Sequence, residues 1–139
     1  MSNWTHVAGV IRIDDIRFDN RLPDFDKLVG KECLWESPHE LWEEAENHPQ
    51  NFLPMGSEGS LEKSVWINPD YSCMAAYTVS IFGDLRDHDD QNAIVRWFKD
   101  KVEEISKTYM IRQATITVKN EYYGCTNWTF HYEDYEENT

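Results

Sequence analysis

Residues 91–119, QNAIVRWFKDKVEEISKTYMIRQATITVK, change their hydrophobic period partway along. Up to Tyr109 the large apolar residues Ile94, Trp97, Phe98, Val102, Ile105 and Tyr109 recur at helical spacing, which puts them on one face. From Ile111 to Lys119 the period is two, with Ala114, Ile116 and Val118 opposed to Gln113, Thr115 and Thr117. An amphipathic helix running into a half-buried strand predicts a sheet with helices on one face and the other face open.

Reading outward, Thr126–Tyr132 alternates again, with Trp128, Phe130 and Tyr132 opposed to Thr129 and His131, and Tyr122-Tyr123-Gly124 supplies the turn before it. Upstream, Leu61–Ile67 and Cys73–Phe82 read as strands joined by the turn Asn68-Pro69-Asp70. Ser37–Glu46 reads as a helix, with Ser37 as N-cap, Pro38 in the first turn and Glu40 completing a capping box. A shorter helix follows Pro23 and stops at Gly30, and β-branched Val7, Val10, Ile11 and Ile13 mark a first strand over Thr5–Asp14. The order is β-α-β-β-α-β plus a C-terminal strand. This predicts an α+β, ferredoxin-like domain over residues 1–132, with its two main helices on one face of the sheet, and an acidic tail over 133–139.

Charge narrows the function. The 139 residues carry 26 Asp and Glu against 13 Lys and Arg, a net charge of −13. Such a surface repels nucleic acid and anionic membranes and speeds encounters with basic partners. Between Lys31 and Lys63 there is no Lys or Arg, while Glu32, Glu36, Glu40, Glu43, Glu44, Glu46, Glu58 and Glu62 all fall there. Glu36, Glu40, Glu43 and Glu44 stand three or four apart, which on a helix aligns carboxylates roughly 5–6 Å apart, much as phosphates line a nucleic-acid strand. Trp35 and Trp42 flank them and are the expected aromatic anchors. The expected partner is a protein with a basic surface; direct nucleic-acid contact and membrane binding are not expected.

Other chemistry is weakly encoded. Asp84, Asp87, His88, Asp89 and Asp90 lack the EF-hand glycine and glutamate positions, so Asp89 and Asp90 read as helix-capping anions, and no metal or cofactor is expected. No nucleophile or histidine motif appears, so an enzyme is not expected. Cys33, Cys73 and Cys125 form no C-x-x-C pair and read as reduced thiols. With no signal-peptide pattern in the first residues and no apolar membrane span, the expected location is cytoplasmic. An alternative function uses the loop Gly56, Ser57, Gly59 and Ser60, with Thr129 and His131 on the open sheet face, to hold a small ligand such as a signalling nucleotide; an enzyme of unrecognised type is a third. The open face also offers a route to homo-oligomers.

The run GSEGSLEKSVWINPD over 56–70, followed by AAYTVSIFGDLRD over 75–87, resembles small uncharacterised proteins carried by phages and prophages. The resemblance implies host cytoplasm and assigns no residue a role. By composition alone, the chain is similar to acidic phage proteins that antagonise host defence, of the anti-CRISPR and anti-restriction kind. The expected function is therefore an acidic inhibitor that occupies a basic nucleic-acid-binding surface of a host enzyme.

Overall fold

The computed structural model describes residues 2–16, 21–68, 74–88 and 90–131. The expected turn residues Pro69 and Asp70, together with Cys73, Asp89, Tyr132 and the acidic tail 133–139, lie outside the described residues. The elements in chain order are β1 Trp4–Ile16, α1 Phe25–Leu28, α2 His39–Asn47, a 3-10 turn Pro49–Asn51, β2 Met55–Gly56 and β3 Gly59–Ser60. They continue with β4 Glu62–Ile67, β5 Met74–Arg86, α3 Gln91–Ser106, β6 Met110–Asn120 and β7 Gly124–His131.

Five strands form one sheet in the order β4-β5-β1-β6-β7, antiparallel at every step, and β2 pairs with β3 in a separate two-stranded ladder. The α+β class and a five-stranded antiparallel sheet are therefore as expected, whereas the strand count is not: the described residues hold seven strands, the added pair being β2 and β3. The strands β1 and β5 run 13 residues each, longer than their sequence patterns suggest. Asp84–Arg86, beyond the expected strand Cys73–Phe82, extend β5 and pair with Trp4–His6. A strand partner satisfies their backbone groups, and that requirement overrides the polar composition.

Alternation along β1 sends Val7, Ile11 and Ile13 into the core, where they meet Tyr77, Val79, Ile81, Leu85, Ala114, Ile116 and Val118. The helix α3 covers this face at β6 and β7, burying Ile94, Phe98, Val102 and Ile105 as its sequence period predicts. Phe98 meets Trp128 edge-on at 5.8 Å. The Asp90 carboxylate caps α3 by accepting from the Ala93 N–H at 3.0 Å.

The second main helix departs from expectation. Rather than covering the sheet beside α3, α2 closes a smaller cluster in which Leu41, Trp42 and Met55 pack on Cys33, Ala45 and Phe52. Its start also differs, since Pro38 is the N-cap and no side chain caps it. Ser37 turns backward, its Oγ accepting from the Leu34 N–H at 2.9 Å while its own N–H donates to the Leu34 carbonyl at 3.0 Å. The hydroxyl is thus used by the preceding turn, and the predicted capping box with Glu40 does not form.

Candidate functional site

The acid-rich segment folds into a surface less uniform than its sequence. Long-range basic partners reach several of its carboxylates: Lys31 Nζ meets Glu44 at 2.6 Å, and Arg86 meets Glu58 at 2.9 Å. Lys63, only 8% exposed, meets Asp26 at 2.5 Å and Glu32 at 3.7 Å, and donates to the Gly30 carbonyl at 2.8 Å. The Glu44 hydrogen bond raises the Lys31 ammonium above its ordinary pKa. Glu43 has His39 at 3.0 Å, one helical turn away.

The expected single row therefore breaks up. Glu36 stands before the helix begins, and Glu44 is drawn to Lys31. Glu40, Glu43 and Glu46 are exposed. Among the described residues, Glu36, Glu40, Glu46 and Glu62 lie within ion-pair distance of no Lys, Arg or His. The two predicted anchors also separate: Trp42 is half-buried in the small cluster, whereas Trp35 is 70% exposed.

A tight turn explains the exposure of Trp35. Leu34–Ser37 is closed by the two Ser37 hydrogen bonds, and its central positions, Trp35 and Glu36, project outward. The ladder of β2 and β3 backs this turn. Ser60 N–H donates to the Cys33 carbonyl at 2.7 Å, and Cys33 N–H donates to Ser60 Oγ at 2.8 Å. Gly59 has φ +131, and a Cβ there would stand 2.9 Å from the Cys33 carbonyl oxygen. Beside the turn, Leu34, Trp35, Glu36, Ser37 and Glu62 line a shallow cleft of about 430 Å³. Phe82, 40% exposed, lies opposite Glu62 in the β4–β5 register.

The residues of the small-ligand alternative do not converge. Gly56 pairs with Gly59, Ser57 N–H donates to the Arg86 carbonyl at 2.8 Å, and Ser57 Oγ donates to Asp87 at 3.2 Å. The Ser57 and Ser60 amides are thus used internally, buttressing β5 and the Trp35 turn. Thr129 shares a 3.1 Å hydroxyl contact with Thr115, and His131 pairs with Gln113. Both lie on β7, the edge of the sheet opposite β4.

The open face carries one feature without a local sequence signal. His6 bridges Asp84 at 2.6 Å and Glu121 at 3.1 Å, and these bonds, Asp84 first, raise its pKa above the ordinary value. Its partners are 78 and 115 residues away, so only strand pairing reveals the bridge. Asp84, Asp87 and Asp90 serve separate partners: His6, then Asn3 with Ser57, and the α3 cap. Cys33 is buried, which pushes its thiol up, and Cys125 is exposed; both are free. Among the described residues, no helix is long and apolar enough to cross a membrane.

No protein-family model, curated protein or solved structure matches the chain. The geometry of the acidic, aromatic surface around α2 and β4 is accordingly the basis for a functional reading.

Proposed function

We propose that this chain is a phage-type inhibitor that docks an acidic face onto a basic, nucleic-acid-binding surface of a host defence enzyme, in the host cytoplasm. The observation that carries the reading is that, among the described residues, Glu36, Glu40, Glu46 and Glu62 have no base within ion-pair distance, and that Glu36 and Glu62 line a cleft with the exposed Trp35. In a protein where Glu32, Glu44 and Glu58 have each gained a base, Glu36 and Glu62, which no base among the described residues reaches, suit a basic partner beside Trp35. Long-range attraction steers the encounter, and contact near Trp35 supplies the anchor. The scaffold is read as a ferredoxin-like sheet extended by β7. The antiparallel order β4-β5-β1-β6 supports this, with α1 and α2 between β1 and β4 and with α3 between β5 and β6.

The test is capture of the partner from host lysate, followed by reconstitution with purified components. Binding should weaken as salt rises, and the partner's own nucleic acid should displace the inhibitor. Reversing Glu36, Glu40 and Glu43 to Lys should abolish binding while leaving the fold intact, because exposed substitutions usually change stability by less than about 0.5 kcal/mol each. Undiminished binding by the reversed chain, with no competition from nucleic acid, would refute the proposal.

A further inference from the structure

We infer that the cleft between Trp35 and Glu62 is a socket for one arginine side chain presented by the basic partner. This rests on the docking function proposed above and adds the position of the anchor and the residue it takes. The rim is aromatic and acidic at once. Trp35 is 70% exposed, and two carboxylates, Glu36 and Glu62, have no base among the described residues.

The chemistry selects arginine over lysine. A guanidinium is planar, so it stacks on an indole while its edge donors reach carboxylates on either side. It is also weakly hydrated, which lowers the cost of taking it out of water. A lysine ammonium is a compact, strongly hydrated charge that neither stacks nor forks. Preorganisation favours the site as well. The Trp35 turn is held by Ser37 and by the Ser60–Cys33 bonds, so little backbone freedom is lost on binding.

The experiment titrates the isotope-labelled full chain with an arginine-rich peptide, its all-lysine counterpart and its all-citrulline counterpart. The Trp35 indole N–H resonance should shift saturably with the arginine peptide, less with lysine and not with neutral citrulline. W35A and the pair E36Q/E62Q should each weaken binding by about 10-fold, as loss of a stacked, charge-assisted contact implies. D100N/E103Q, two exposed carboxylates on α3 away from the cleft, should change it by less than about 2-fold. A thermal melt of each variant confirms that it is folded.

Equal binding of the arginine and lysine peptides, with Trp35 unmoved and affinity unchanged in W35A and in E36Q/E62Q, overturns the socket but leaves the docking function standing. A Trp35 shift that follows protein concentration in the absence of peptide assigns the rim to a second copy and also overturns the socket. Wild-type protein that binds no basic peptide at any salt concentration overturns both.

Discussion

Replacing Gly59 by Ala should destabilise the protein and displace Trp35 together, because one glycine supports both the β2–β3 hairpin and the turn behind it. Two costs add. The backbone stands at φ +131, where an L side chain is strained by about 1–3 kcal/mol. The new Cβ would also sit 2.9 Å from the Cys33 carbonyl oxygen and 3.3 Å from both Leu34 Cα and Trp35 N. Those are backbone atoms held by the Ser60 bonds, so they cannot yield as a side-chain tip would. Gly124 provides the control: its φ is +93, but nothing lies within 4 Å of a Cβ there. Gly124→Ala therefore carries strain alone, about 1–2 kcal/mol. Gly59→Ala should cost at least about 3 kcal/mol, which lowers Tm by roughly 10 °C in a chain of this size. Urea unfolding of both variants gives the comparison, and the Trp35 indole resonance reports the turn. Equal losses for the two alanines, or a Trp35 resonance unmoved in Gly59→Ala, would show that the hairpin does not hold the turn.

Three further outcomes are expected. Phe98→Ala should cost about 3–5 kcal/mol, because the ring is fully buried and pairs with Trp128; a loss below about 2 kcal/mol in urea unfolding would contradict the packing. His6 has a raised folded pKa, so its bridge to Asp84 and Glu121 contributes fully below the unfolded value near 6.5 and is lost as pH rises through the folded value. His6→Gln should remove that decline, and identical stability–pH curves for the two proteins would exclude the bridge. Dialysis against a chelator should leave Tm unchanged, since Asp84, Asp87 and Asp90 already bind His6, Asn3 and the α3 cap; a drop reversed by added Ca²⁺ would reassign them as ligands.

Local period was enough to read α3, β6 and β7. Ile94, Phe98 and Ile105 share a face because a helix turns every 3.6 residues, and Ala114, Ile116 and Val118 share one because a strand alternates; neither relation needs a distant partner. The acid enrichment between Lys31 and Lys63 was equally plain, since composition is a property of the chain. What that composition becomes on the surface was a matter for tertiary structure. Lys31 is 13 residues from Glu44, Arg86 is 28 from Glu58, and Lys63 is 37 from Asp26, and only the fold closes those gaps. The same holds for Ser37, whose hydroxyl had two possible uses, a helix cap or the Leu34 turn, at similar sequence distance. Packing of the β2–β3 ladder against Cys33 favours the turn. Trp35 and Trp42 are alike in composition and seven residues apart, yet one lies in a cluster and the other in solvent. A side chain's exposure is set by what the rest of the chain brings to it, and for Trp35 that is a hairpin from below and Glu62 from across the sheet edge.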